Sequence, residues 1–279
     1  AILTVVFALL AFRGLDRQGL LYHDNGSYLL GTRFVEESLQ VLLHRRAGDF
    51  HQEGFWEKMR EQTSGVPLRF GKPGFNAILW AAGKITGFAE SLLYRVTASC
   101  SALCLILTFC IALQLGCSPV AALYSAAILA SSFFTMIYAR IGLADPSTTV
   151  FFLLGILCYA RSQSRGAGAA VYLAGFFMGY AFCVNQLRTA YMPALILFMD
   201  FLALLDRRQD WKTFFQRSGV IVLGIATPIV AFQLPYTLAR WLVGPLPPSV
   251  PDYFSQLKDS IWQFGQVLWF DNPTHRNGG

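Results

Sequence analysis

The sequence predicts an all-α polytopic membrane protein with about seven transmembrane helices. Of its 279 residues, 54% are hydrophobic and 14% are charged, whereas a soluble domain carries about 25% charged residues. The apolar residues are grouped in long runs separated by polar segments. Aromatic residues make up 15% of the chain, which fits the preference of Trp and Tyr for membrane interfaces. This composition excludes the soluble, disordered and disulfide-rich secreted classes of protein.

The predicted spanning helices follow the apolar runs in chain order. The first run opens the chain, and six more lie at 91–113, 119–139, 147–160, 169–184, 188–205 and 218–238. A helix needs about 20 apolar residues to cross a bilayer. Two of the runs are shorter than this, so they must take length from their flanks or be broken near a site.

Two long stretches, 13–72 and 239–279, are predicted not to span the membrane. In the first stretch, residues 27–46 place Tyr28 and three aliphatic residues on one helical face, which predicts an amphipathic helix in the membrane plane. Segment 73–88 has about ten apolar residues before Lys84, a length typical of an interfacial segment. We therefore expect 73–88 to lie in the membrane surface.

The distribution of charge predicts the orientation. If 73–88 does not span, the loops 114–118, 161–168 and 206–217 lie on one side and carry most of the basic residues of the short loops. Positive charge in short loops marks the cytoplasmic side. The segments 13–72 and 239–279 then face outward, together with the short loops 140–146 and 185–187. This places Asp24, Lys72, Asp145 and Arg188 on the outer side. The net charge of +6 is explained by orientation and anionic lipid, so no nucleic-acid partner is expected.

Several motifs of other chemistries are absent from the sequence. The six cysteines lie in or beside apolar runs without a CxxC pair, so we interpret them as packing residues rather than metal ligands or disulfides. There is no P-loop, HExxH or GxSxG motif. The glycines of the GYAF and GAGAA stretches are predicted to pack helices together.

Two acidic residues are candidates for chemistry. Asp24, in LYHDNGSY, can act as a general base if it lies near an acceptor hydroxyl, but Asp also favours such turns. Asp145, in YARIGLADPSTT, lies between two apolar runs and near Arg140. An acid in such surroundings is costly enough to suggest function, while capping of the following helix is the alternative.

Two basic residues are candidates for phosphate binding. Lys72, in RFGKPGF, lies where the interfacial segment begins and can pair with a phosphate or simply anchor the interface. Arg188, in FCVNQLRTAY, is suited to bidentate phosphate contact or to the same anchoring role. Its neighbours Asn185 and Gln186 add hydrogen-bonding capacity.

The order of these motifs resembles that of the GT-C membrane glycosyltransferases. The similarity is greatest to the branch that holds aminoarabinose transferases and dolichyl-phosphate-mannose-protein mannosyltransferases. It is carried by HDNGSYLL, FGKPGFNAILWAAGKITG and ARIGLADPSTTVFFLLGILCY, and it covers most of residues 1–205. Members of this group transfer a sugar from a polyprenyl-phosphate donor, on the non-cytoplasmic face and with inversion.

The resemblance implies a role for each candidate. Asp24 matches the proposed base, and Asp145 matches a second acidic position that helps to place the acceptor or a metal. Lys72 matches the lysine that contacts the donor phosphate, and Arg188 lies near a basic position with the same task. Supporting residues are expected to be Tyr28, Arg140, Asn185 and Gln186. Relatives carry Asp-Glu in the first loop where this chain has Asn25 in the second position, so no cofactor is assigned and a divalent metal stays open.

The resemblance also implies a setting. Residues 1–279 are expected to form one GT-C-like module, truncated at both ends, from the N-terminal catalytic part of a longer protein. The acceptor would be a lipid, a glycan or a protein, and the location a bacterial inner membrane with the site facing outward. The alternatives are a transporter or lipid flippase for an anionic or lipid-linked substrate, and a non-catalytic scaffold whose candidate residues lie far apart.

Overall fold

The computed structural model describes residues 2–15, 72–165, 168–185, 191–206 and 209–243, together with ten isolated positions at 26, 28, 29, 31, 32, 189, 254, 255, 258 and 262. These residues form helices and no strand, which confirms the all-α prediction for the described part of the chain. The helices are α1 (Ile2–Phe12), α2 (Pro73–Thr86), α3 (Ser91–Gln114), α4 (Pro119–Ser131), α5 (Phe133–Arg140), α6 (Asp145–Arg165), α7 (Gly168–Val184), α8 (Met192–Leu205) and α9 (Trp211–Val243).

Each of the seven predicted apolar runs lies on one of these helices or on a pair of them. Two helices in the described part, at Ser91–Gln114 and Trp211–Leu234, are long and apolar enough to cross a membrane, and α4 with α5 makes a third if the pair is one broken span. Three shorter apolar helices are α1, α7 and α8. The number of seven spans therefore stays a prediction.

The predicted run 119–139 is not one continuous helix. Helices α4 and α5 are bent by 60° at Ser132, whose backbone is extended with φ −65° and ψ 122°. The hydroxyl of Ser131 donates to the Ile128 carbonyl at 3.0 Å, a side-chain bond of the kind that competes with the helical ladder. A hydropathy profile does not detect such a hydrogen bond, so the sequence did not predict the break between α4 and α5.

Large apolar side chains lie exposed on the outer faces of the described helices. A soluble monomer rarely presents such a surface, whereas lipid tails solvate it. Together with the apolar helices, this makes the chain an integral membrane protein. Examples with more than half of the side chain exposed are Ile2, Leu9, Ile128, Phe133, Phe134 and Leu223.

Helices α7 and α9 pack through glycines. A Cβ atom at Gly175 would lie 2.2 Å from the Ile221 carbonyl oxygen, and one at Gly179 would lie 2.4 Å from that of Ile225. In the other direction, a Cβ atom at Gly224 of α9 would lie 2.4 Å from the Tyr172 carbonyl oxygen of α7. Small residues spaced by four let helix backbones approach closely within a bilayer. The prediction for the GYAF glycine, Gly179, is therefore confirmed.

The prediction for the GAGAA stretch is wrong at Gly168. A Cβ atom at Gly168, the first residue of α7, would meet none of the described atoms within 4 Å. Gly166 lies outside the described residues.

Substitution of Gly175 by alanine is expected to lower the free energy of unfolding by about 1–3 kcal/mol, because the added methyl group must separate α7 from α9. Thermal unfolding of the purified chain in detergent measures this change. Gly168→Ala, in the same helix, is the matched control and is expected to leave the unfolding temperature unchanged. Equal effects of the two substitutions would contradict close packing at Gly175.

One end of the helical bundle brings together the first turn of α6, the first half of α3 and the last turn of α7. The Ser147 hydroxyl donates to the Cys100 sulfur at 3.3 Å, and the Asn185 amide approaches the Asp145 carboxylate. We call this the α2 end. Both ends of α2 lie here: Gly74 packs on the C-terminus of α7, and the last turn of α2 leads within five residues into α3.

Helix α2 therefore does not connect the two ends of the bundle. Its 14 residues extend over about 21 Å, and Phe75 and Leu79 pack in one buried cluster with Leu92 and Leu93 at the start of α3. Gly87, with φ +87°, permits the turn between the helices, since this backbone conformation favours glycine. An in-plane segment requires this arrangement, and its depth relative to a bilayer stays a prediction.

The opposite end, which we call the far end, holds a buried polar cluster. Asp200 of α8 is fully buried and pairs with Arg217 of α9 at 2.9 Å. Tyr159 of α6 donates its hydroxyl hydrogen to the same carboxylate oxygen at 3.3 Å, and Arg217 also donates to Ser162 at 3.1 Å. The cluster ties together the ends of three helices.

The same far end carries a helix cap between α8 and α9. Asp210 accepts a hydrogen bond from the Thr213 backbone N–H at 2.9 Å, as an N-terminal cap of α9 does. Its hydrogen bonds with the Thr213 side chain and backbone lower the pKa of Asp210. The carboxylate is therefore charged at neutral pH, where it interacts favourably with the helix dipole.

Candidate functional site

The site is built on the first turn of α2. Lys72 precedes Pro73 and occupies the N-cap position, where its carbonyl oxygen accepts bonds from the backbone N–H groups of Phe75 and Asn76 at 3.0 and 3.1 Å. Proline suits the first turn because it has no N–H to satisfy. Lys72 is half-buried, and an anion that it binds at this end of α2 is also stabilised by the helix dipole.

Tyr28, predicted as a supporting residue, contacts Lys72 directly. The Lys72 ammonium donates a hydrogen bond to the Tyr28 hydroxyl and lies 4.8 Å from the centre of its ring. The buried Tyr28 ring meets Phe75 edge to face, with ring centres 5.0 Å apart. Described residues 28, 29, 31 and 32 are helical, in agreement with the predicted in-plane helix, whose remainder beyond residue 32 lies outside the described residues.

Asp145 and Asn185 meet across the junction of α6 and α7. The Asn185 amide nitrogen donates a long hydrogen bond of 3.5 Å to the Asp145 carboxylate. Asn185 is buried, while Asp145 is half-buried as the first residue of α6. Pro146 follows Asp145 in the first turn, as the sequence predicted. The structure therefore brings two of the predicted site residues into contact.

The C-terminus of α7 joins these two contacts. A Cβ atom at Gly74 would lie 2.9 Å from the backbone of Cys183 and Val184, and the Tyr180 hydroxyl donates to the Gly74 carbonyl at 3.2 Å. Only glycine allows the α2 backbone to approach α7 this closely. Lys72 is thus two residues from a contact with α7, and Asp145 bonds to the residue that follows α7.

Arg140, predicted as a supporting residue, holds the end of α1. Its guanidinium donates to the carbonyl oxygens of Leu10 and Arg13 at 3.3 and 3.1 Å. The last carbonyls of a helix have no partner within the helix, so a cation there satisfies them. This contact gives Arg140 a structural task at the α2 end.

Three predicted residues, Asp24, Gln186 and Arg188, lie outside the described residues. Their roles stay predictions. Within the described part, no three His, Cys, Asp or Glu side chains converge in a way that could hold a metal ion. Because Asp24 lies outside that part, a divalent metal at the site stays a prediction.

Sequence reasoning missed Asn76. It is 4% exposed, and among the described residues its buried amide oxygen has no hydrogen-bond partner. It lies one helical turn beyond Lys72. The signal in the sequence was a single amide within the otherwise apolar stretch FNAILW, which composition alone does not separate from a tolerated polar residue.

The arrangement can bind a lipid-linked anion at the membrane surface. An ammonium group at a helix N-terminus stabilises phosphate, and the neighbouring Asp145–Asn185 pair offers an acceptor and a donor for hydroxyl groups. A lipid-linked substrate carries its phosphate at the membrane surface, so this site fits a protein that acts on lipid-linked substrates.

Comparison with known families identifies the class further. A model of the dolichyl-phosphate-mannose-protein mannosyltransferase family matches residues 67–232, more than half of the chain. The chain belongs to this family, and it is a membrane glycosyltransferase of the GT-C type. The family uses polyprenyl-phosphate sugar donors, which favours transfer over the transporter alternative.

The matched region begins shortly before Lys72 and contains Arg140, Asp145, Asn185 and Arg188. Asp24 and Tyr28 precede it. No curated protein and no solved structure shows significant similarity to the chain.

Proposed function

We propose that the protein moves a sugar from a polyprenyl-phosphate donor to an acceptor hydroxyl, with inversion, at the extracytoplasmic face of a bacterial plasma membrane. Asp24 takes the proton from the acceptor hydroxyl. Lys72 and Arg188 hold the donor phosphate and stabilise the charge that develops on it as the sugar leaves. Asp145, held by Asn185, orients the acceptor.

The observation that carries this proposal is the position of Lys72. It lies at the N-terminus of α2, and the C-terminus of α7 connects it to the Asp145–Asn185 pair. A phosphate that carries a lipid tail can remain in the bilayer while its charge reaches Lys72. A non-catalytic scaffold binds no anion, so this arrangement favours an enzyme over a scaffold.

The outward orientation is supported by the basic residues of the far end. Arg161 lies near the C-terminus of α6, and Lys212 and Arg217 lie in the first two turns of α9. Basic residues at this end of the bundle, in and beside the short loops, favour the cytoplasm. The α2 end then faces outward. The hexose or pentose that is transferred and the acceptor, whether lipid, glycan or protein, are to be identified by assay.

Lys72→Met is expected to raise the KM for the donor by about 10- to 100-fold. A hydrogen bond to a charged group is worth about 1.5–3 kcal/mol, and each 1.4 kcal/mol corresponds to about a factor of ten. Transfer from dolichyl-phosphate mannose by the purified chain in lipid nanodiscs measures this effect.

Lys84→Met is the matched control for this substitution. Lys84 lies on the same helix, in its last turn, where its ammonium lies 5.9 Å from the centre of the Trp80 ring. Its loss is expected to leave the KM unchanged. An equal rise for both substitutions would mean a general interfacial effect of charge, and an unchanged KM for Lys72→Met would contradict phosphate binding by this residue.

A further inference from the structure

Asn76 is a buried amide with an unsatisfied oxygen beside the proposed phosphate site. Within the part of the chain that the structure describes, its Oδ1 atom has no hydrogen-bond partner, and the residue is 4% exposed. Leaving a buried acceptor unpaired costs about 1–3 kcal/mol. An apolar residue of similar size would avoid that cost. A group kept at this cost calls for an explanation, and binding of a ligand is one.

The chemistry of the Asn76 amide oxygen determines which kind of group can bind to it. An amide oxygen only accepts hydrogen bonds, so its partner must be a donor such as a hydroxyl or an amine. A phosphate oxygen at neutral pH accepts and cannot fill this position. The sugar of the donor carries hydroxyl groups and is covalently attached to the phosphate.

The position of Asn76 on α2 fits such a partner. Its backbone N–H bonds to the Lys72 carbonyl at 3.1 Å, so the two side chains are separated by one turn on the same face of the helix. One turn advances about 5.4 Å along the axis, comparable to the offset between a phosphate and the hydroxyls of the attached sugar ring.

We propose that Asn76 binds a hydroxyl of the donor sugar while Lys72 binds its phosphate. This inference rests on the proposed function and assigns the sugar-contacting residue of the same site. Asn76 is a binding residue in this assignment and takes no part in proton transfer.

The helical stretch that carries Tyr28 and Gly31 covers Asn76. A Cβ atom at Gly31 would lie 2.6 Å from the Asn76 amide nitrogen, so this stretch lies directly against the amide. The Lys72 ammonium has three donors, so it can bind a phosphate while it keeps its hydrogen bond to Tyr28. The proposal requires that the stretch around Gly31 moves aside from Asn76 when the donor binds.

The test compares two lipids that differ only in the sugar. The dissociation constants of dolichyl phosphate and dolichyl-phosphate mannose are measured with the full chain in detergent, together with its unfolding temperature. The unsubstituted protein is expected to bind the mannose lipid more tightly. Asn76→Leu is expected to remove this gain, about tenfold, while the affinity for dolichyl phosphate and the unfolding temperature do not fall.

Ser218→Ala is the matched control, since the Ser218 hydroxyl oxygen is also buried and has no hydrogen-bond partner among the described residues, but the residue lies beside Arg217 at the far end. It is expected to change neither dissociation constant. Asn76→Ala adds no bulk beneath Gly31 and provides the same comparison if the leucine impairs folding. Lys72→Met is expected to weaken the binding of both lipids.

Each other outcome has a distinct meaning. Equal affinities of the unsubstituted protein for the two lipids, or a mannose gain that survives both Asn76 substitutions, overturns the role of Asn76. An equal loss for both lipids in both Asn76 variants also overturns it, because the residue then acts on the phosphate or the fold. Binding of neither lipid by the unsubstituted protein contradicts the proposed function itself.

Discussion

Asp24→Asn is expected to reduce the rate of sugar transfer by about 10²–10⁴-fold, the usual contribution of a general base. The amide keeps the size of the carboxylate but cannot take the proton of the acceptor hydroxyl. Because the donor phosphate is held elsewhere, the KM for the donor is expected to stay within a factor of about two. Steady-state transfer from dolichyl-phosphate mannose separates kcat from KM.

Chain connectivity supports this role for Asp24. It precedes Tyr28 by four residues, and four residues reach at most about 14 Å. Tyr28 is in contact with Lys72, so this short separation along the chain is compatible with a role of Asp24 at the proposed phosphate site.

Asp210→Asn is a suitable control for Asp24→Asn, since Asp210 is an exposed acid at the far end. It is expected to leave kcat unchanged. If Asp24→Asn retained full kcat, another group would have to act as the base. A parallel loss of kcat and of dolichyl phosphate binding would instead indicate that the substitution disturbs the phosphate site.

The sequence was sufficient to predict the helices because their cause is local. Apolar runs of membrane length form helices wherever backbone groups cannot reach water, and each predicted run is helical in the described part of the chain. The bend at Ser132 was not predictable from hydropathy, because it arises from one backbone conformation and one serine hydrogen bond.

The sequence predicted part of the site, because the predicted orientation of the loops places Lys72, Tyr28, Asp145 and Asn185 on the same side of the membrane. Their pairing depends on helix packing, above all on Gly74 against α7. The contact of Arg140 with the end of α1 could not be predicted for the same reason, because its partners are backbone carbonyls more than 120 residues away in the sequence.

The partner of Asp200 could not be predicted from proximity in the sequence. Arg207 and Arg208 are nearest in sequence, and both lie outside the described residues. The described partner is Arg217, one helix further along, because the turn between α8 and α9 brings their ends together. The ion pair of a buried charge depends on which helices pack together, and this cannot be deduced from the order of residues alone.

Arg217→Met is expected to lower the free energy of unfolding by about 3–5 kcal/mol, the cost of breaking a buried ion pair by removing one partner. The Asp200 carboxylate would remain buried with the Tyr159 hydroxyl and would lose the cation that the described part of the chain provides. Reversible unfolding in mixed micelles measures the change. Transfer activity per folded molecule is expected to be retained, because the cluster lies at the end opposite Lys72.

The double variant Asp200→Leu/Arg217→Met shows whether the loss comes from the uncompensated charge. Replacing both partners of a buried pair by apolar residues is often neutral or stabilising, and here one carboxylate oxygen of Asp200 is already without a partner. The double variant is therefore expected to recover most of the stability that Arg217→Met loses. If both variants were equally unstable, the packing of the Arg217 side chain between α6, α8 and α9 would be the stabilising feature, and the charge would be secondary.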